Sequence, residues 1–158
     1  MPRIPSIYLE TTIFNFPFAD DAPQYQADTL RLFAEIKAGK FRPFTSQYVL
    51  DELEAATDSL RKERIRLITE YGVEVIPASD EAKNLAMAYI ESGIIPSAYG
   101  TDGFHIAAAS VRGLDFIVSL NFRHIVKRKT IEGTEIINFH KGYKRIGIYT
   151  PAEVIDND

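Results

Sequence analysis

A chain of 158 residues, 46% hydrophobic and 25% charged, has an ordinary globular composition and enough length to bury one core. Its 18 basic and 22 acidic side chains leave a formal charge of -4, so any nucleic-acid surface must be local, and the lack of Cys excludes disulfides, thiolate zinc sites and cysteine nucleophiles. The N-terminal MPRIPSIYLETT has no apolar signal core, and no stretch approaches the roughly 20 apolar residues of a membrane span, so a soluble cytoplasmic protein is expected.

Ser6 to Leu9 reads as a buried strand ending abruptly in Glu10-Thr11-Thr12. After a loop containing Pro17, Asp20, Asp21 and Pro23, the spacing of Leu30, Phe33, Ala34 and Ile36 predicts a helix over Gln26 to Ala38, closed by Gly39. Phe41 to Thr45 is a second strand, with Pro43 suggesting a sheet edge, and Ser46 is an N-cap for a helix over Gln47 to Ala56. Ser59 to Tyr71 predicts an amphipathic helix with a basic outer face, Val73 to Ile76 a third strand, and Asp80 to Ile90 an Ala-rich helix. A small-residue helix follows over Asp102 to Val111, stopped by Gly113; Phe116 to Ser119 is another bare apolar strand. Thr134 to Phe139 (TEIINF) reads as a further strand, and Thr150-Pro151-Ala152-Glu153 as a capping box opening a last short helix. Alternating short apolar strands and helices predict a three-layer α/β/α sandwich with a mainly parallel central sheet, one domain over residues 1–158.

Parallel sheets place their sites beyond the carboxyl ends of the strands. Four residues fall there: Glu10 after the first strand, Glu52 in the helix after the second, Asp102 at a helix start, and Asn121 after FIVSL. Asp51 and Glu52 diverge by about 100° on a helix, so only one can face the site, and Glu52 is chosen. Gathered carboxylates repel one another unless protonated or neutralised, and an oxygen donor set without clustered imidazoles suits Mg²⁺ or Mn²⁺. His105, three residues after Asp102, shares its helix face and reads as a supporting histidine able to bridge to the carboxylate or a phosphate. His124 and His140 lack ligand spacing to it. Arg123, Lys127, Arg128 and Lys129 form a basic cluster after Asn121 able to grip phosphates, while Phe14, Phe16 and Phe18 read as core or dimer contacts.

Taken in order, IYLETTIF, SQYVLDELE, TDGFHIAAA and DFIVSLNFRHI, with the ending IYTPAEVI, resemble the PIN domain, a family of metal-dependent ribonucleases that includes the VapC-type toxins of toxin–antitoxin pairs. The resemblance implies acidic catalytic positions at Glu10, Glu52, Asp102 and Asn121, the first three holding Mg²⁺ or Mn²⁺, with Thr12 and Ser119 orienting ligands or water. It further implies hydrolysis of RNA by metal-activated water to a 5′-phosphate and a 3′-hydroxyl, a homodimer, and an antitoxin that inserts a basic side chain near the acids. Two positions depart from the commonest pattern: Glu10 adds a methylene to the usual Asp, and Asn121 supplies a carbonyl oxygen without charge. The second departure keeps open an alternative, a catalytically weakened PIN-like module that binds RNA or a protein. A phosphatase or phosphotransfer receiver on a similar sheet is disfavoured, because those need an Asp nucleophile where this chain has Glu10, and a late-strand Lys that FIVSLNFR lacks.

Overall fold

The computed structural model describes residues 3–156. Ser6–Leu9 forms β1 and is buried at all four positions, as a strand covered on both faces must be. Arg42–Ser46 (β2), Glu74–Ile76 (β3), Phe116–Val118 (β4) and Gly147–Tyr149 (β5) join it in one sheet of order β3-β2-β1-β4-β5. Every neighbouring pair is parallel, with Ile7 beside both Pro43 and Phe116. The helices are Thr11–Asn15 (α1), Pro23–Lys37 (α2), Gln47–Ala55 (α3), Arg61–Glu70 (α4), Asp80–Glu91 (α5), Gly100–Arg112 (α6), Arg128–His140 (α7) and Pro151–Val154 (α8). They flank the sheet in the expected α/β/α arrangement, and the core runs through Ile7, Leu9, Ile117 and Val118 to Leu32, Leu85 and Ile106 on the helices. Among the described residues no helix is long and apolar enough to cross a membrane.

This strand order positions the site. From β1 the chain builds outward through β2 and β3, then returns to the other side of β1 for β4 and β5. The winding therefore reverses between β1 and β4, and a crevice opens there beyond their carboxyl ends. Glu10 follows β1 and Ser119 to Asn121 follow β4, so both banks of the crevice carry polar groups.

Four expectations are corrected. TEIINF belongs to α7, not to a strand: Thr130, Thr134 and Asn138, four residues apart, form its buried face. Their polar groups are satisfied there, Thr134 Oγ1 donating to the Thr130 carbonyl (2.7 Å), Asn138 Nδ2 to Ser110 Oγ (2.9 Å) and Tyr89 Oη to Asn138 Oδ1 (2.5 Å). The fifth strand is instead the three-residue GIY, after Gly142 ends α7 with φ 81°. Pro43 lies in β2, an interior strand. Because the Arg42 N–H bonds toward β1 at Pro5, the donor missing from Pro43 faces β3, whose pairing begins only at Phe44. Ser46 precedes α3 in extended geometry but makes no side-chain cap; its hydroxyl goes to Tyr8. The segment after Glu10 is α1 rather than loop, and Phe14 on it is core, against Phe33. The capping box at Thr150 and Glu153 forms as expected.

Candidate functional site

Glu10 directly follows β1 with 3% of its surface exposed, and three donors converge on its Oε1: Thr12 N–H (3.2 Å), Thr12 Oγ1 (2.6 Å) and Ser119 Oγ (2.7 Å). Both hydroxyls also accept from the other bank, Thr12 Oγ1 from Leu120 N–H (2.8 Å) and Ser119 Oγ from Asn121 N–H (2.9 Å). Two backbone amides after β4 are thereby relayed through hydroxyls to one carboxylate oxygen. Thr12 and Ser119 thus both hold Glu10. Burial nevertheless raises the Glu10 pKa above the ordinary value, against the pull of His105 and these donors.

His105, on α6, is wholly buried at the centre of the acids. Its Nε2 lies 2.7 Å from Glu52 Oε1 and its Nδ1 2.7 Å from Tyr8 Oη, which in turn lies 2.6 Å from Ser46 Oγ. A carboxylate can only accept, so Nε2 carries a proton. In the neutral ring Nδ1 then accepts from Tyr8, and Ser46 donates to Tyr8. Burial favours the neutral imidazole, but the Glu52 hydrogen bond and the charges of Glu10, Glu52 and Asp102 outweigh it and raise the His105 pKa. Glu52 thus turns to His105, with 38% of its side chain exposed, while Asp51 turns to Gln47 on the surface.

Asp102 sits half-buried in the first turn of α6 and accepts from Asn121 Nδ2 (3.2 Å). The amide is oriented by its other end, where Oδ1 takes the His124 N–H (3.0 Å). Burial raises the Asp102 pKa; His105, His124 and Asn121 oppose that shift, and Glu52 adds to it.

The structure therefore brings Glu10, Glu52, Asp102 and Asn121 to one crevice around His105. In donor type they fit a hard divalent cation: three carboxylates and no thiol, two of the carboxyls destabilised in the charged form. As the side chains stand, no three acidic or histidine groups among the described residues are set around one metal ion. Glu52 is held on His105 through Oε1 and Asp102 on Asn121 through Oδ1, so joint ligation requires the carboxylates to close toward one point about these anchors.

The basic residues divide. Arg123 lies 6.0 Å from the Tyr99 ring, Lys127 immediately precedes α7, and Arg128 pairs with Glu132 on the exposed helix surface (2.9 Å). Sequence reasoning missed Tyr8 and Ser46, which look like core and cap in their segments, and Tyr99, whose ring stacks on His124 at 4.0 Å. The only signal for Tyr8 was a hydroxyl within an otherwise apolar strand that leads to Glu10.

No family model matches this chain, and no curated protein matches it. Among solved structures it is similar to a chain of the crystal structure of VapBC2 from Rickettsia felis bound to a DNA fragment from their promoter. The two are 16% identical, with a TM-score of 0.56 over 92% of this chain and 98% of that one. That likeness shows a shared fold, in agreement with the PIN-like architecture expected from the motifs.

Proposed function

We propose that the protein is a metal-dependent endoribonuclease and the toxin of a toxin–antitoxin pair. The observation that carries this reading is the convergence of Glu10, Glu52 and Asp102 on one crevice, at the reversal point of a sheet shared with a VapBC2 chain. Glu10, Glu52 and Asp102 are the residues that would hold Mg²⁺ or Mn²⁺. Such an ion, when bound, supplies a water of lowered pKa and polarises the phosphoryl oxygen. The chain's own part is positioning. Thr12 and Ser119 fix Glu10 through Oε1, Asn121 holds Asp102, and His105 holds Glu52. Arg123 and Lys127 are the proposed RNA phosphate contacts, with Arg128 joining them on leaving Glu132. The proposed partners are RNA, a cognate antitoxin and a second copy of the chain; a small co-purifying protein and a dimer mass by light scattering are the expected results.

The amide at Asn121 favours a second reading, a binding module without cleavage, because it replaces a charge with a donor to Asp102. One experiment separates the two. Calorimetry and RNA cleavage in Mn²⁺ are compared in wild type, Asp102→Ala and Asn121→Asp. The nuclease reading expects cleavage by wild type, loss of metal binding and cleavage in Asp102→Ala, and tighter metal binding in Asn121→Asp. With chelator present, Asn121→Asp should be destabilised, since it sets two carboxylates where a 3.2 Å hydrogen bond stood. Cleavage persisting in Asp102→Ala, or absent from wild type with any divalent metal, refutes the nuclease.

A further inference from the structure

Three exposed aromatic side chains lie next to Asn121 or Asp102 in the chain or against a ring that does, and none belongs to the core cluster. Phe122 directly follows Asn121 and is 45% exposed; its ring lies 5.7 Å from that of Tyr25, which is 43% exposed at the start of α2. Phe16 braces Tyr25 edge-on from behind, at 5.7 Å and 90°. On the α6 side, Tyr99 is 42% exposed three residues before Asp102. Its ring rests on His124 at 4.0 Å and 27°, with the Arg123 guanidinium 6.0 Å from its centroid. Thus Asn121 and Asp102, bonded to each other, each have an aromatic surface close by in the chain, and each surface is backed by a second ring.

An aromatic face left in water is a poor use of apolar area, and rings held rigidly by neighbours lose little entropy when something stacks on them. The geometry points to two base-binding subsites, Tyr25 with Phe122 and Tyr99 with Arg123, which stack the unpaired bases on either side of the phosphate presented to Asp102. The inference rests on the nucleic-acid reading of the site and deepens it. Charge favours a polyanion over an apolar protein segment as the occupant: Arg123 lies against Tyr99, and Lys127 and Lys129 follow at the start of α7. Stacking also suits a cleft that must accept any base, because every base has a π face.

The test is run in chelator, so that binding is measured without cleavage. Anisotropy of a short labelled single-stranded RNA is followed for wild type, Phe122→Leu, Tyr99→Leu and Phe122→Trp, each first checked by thermal unfolding. Leucine keeps apolar area and removes the stacking face, so each Leu variant should bind roughly 5- to 150-fold more weakly. Phe122→Trp should bind as well as wild type, and its indole, unique in a chain without Trp, should be quenched by RNA. An abasic strand of equal length should bind like the Leu variants and leave the indole unquenched. Leu variants that bind as wild type, as a protein-docking surface would allow, overturn the inference, as does an abasic strand bound as tightly as RNA. Cleavage in Mn²⁺ is scored separately. RNA held by stacking but never cut sinks the nuclease and leaves the subsites standing; RNA cut without any effect of the Leu variants does the reverse; no RNA binding by wild type sinks both.

Discussion

Replacing Tyr8 by Phe tests whether the buried chain from Ser46 through His105 governs Glu52. Tyr8, Ser46 and His105 are all 0% exposed, and Tyr8 Oη bonds to both of the others, at 2.6 and 2.7 Å. Burial holds the phenol pKa well above its usual value, so the hydroxyl keeps its proton at any working pH. Phenylalanine preserves the ring packing and removes only this hydroxyl, leaving Ser46 Oγ and His105 Nδ1 buried beside apolar carbon. An unsatisfied buried polar group costs about 1–3 kcal/mol, so with two left behind Tyr8→Phe should cost about 2–6 kcal/mol. Ser46→Ala removes one hydrogen bond but leaves Tyr8 bonded to His105, and should cost about 1 kcal/mol. Urea unfolding in chelator reads both values. The functional consequence is separate: with Nδ1 unheld, the imidazole no longer fixes Glu52, and Mn²⁺ affinity by calorimetry should fall by about 10- to 100-fold, the usual effect of losing a partner behind a ligand. A Tyr8→Phe protein within about 0.5 kcal/mol of wild type refutes the network as a structural element. A destabilised protein with unchanged metal affinity refutes its connection to Glu52.

Two further outcomes are expected. Since the folded state raises the Glu10 pKa, ionising this group opposes folding; the cost is absent below the ordinary carboxylate range, grows as pH rises through it and is complete above the folded pKa, so Glu10→Gln should be more stable than wild type at neutral pH in chelator, with the gain vanishing in acid. Gly133 in α7 has Ile94 Cγ1 only 2.7 Å from where a Cβ would sit, so Gly133→Ala should lose more to overpacking, about 1–3 kcal/mol, than the about 1 kcal/mol it gains in helix propensity, and should become stabilising in an Ile94→Ala background, as read by thermal unfolding.

The strands that build the crevice were legible because strands buried on both faces appear as bare apolar runs, and SIYL and FIVS are such runs. The rule that parallel sheets bind at their carboxyl ends then pointed to Glu10, Glu52, Asp102 and Asn121, which the fold brings to one crevice. The errors arose where burial and polarity part company. On α7 the buried positions are Thr130, Thr134 and Asn138, while Ile136 and Phe139 are 59% and 78% exposed. A helix that turns Ile136 and Phe139 outward and buries Thr and Asn alongside the half-buried Ile131 and Ile137 shows no clean inward apolar stripe, and its Thr, Ile and Phe content favours a strand reading. The true β5 has three residues after a basic turn, too few for periodicity. The link between Tyr8 and His105 spans 97 residues, and no local pattern encodes a contact of that separation. The hydroxyl relays across the crevice were likewise closed only by the sheet, which sets Leu9 beside Val118 and so brings Thr12 and Ser119 to the same carboxylate.

Over most of the molecule each local preference agrees with the fold: glycines end helices, a capping box opens α8, and the polar face of α7 is hydrogen-bonded. The crevice departs from this consistency. Three acids share the field of one buried imidazole, and Glu10 and Asp102 stay raised although His105 pulls both down. Burial of both groups therefore outweighs the pull of the imidazole, in a chain whose overall charge is already -4. Packing alone would select against such an arrangement, because burying carboxylates that are incompletely neutralised costs stability. Its two relayed amides, at Leu120 and Asn121, and its hydroxyls at Thr12 and Ser119 are spent on orienting Glu10 Oε1 rather than on neutralising it. On the proposed reading, a cation from outside, either a divalent metal or the basic side chain of a partner competing for its place, would relieve that opposition between burial and charge.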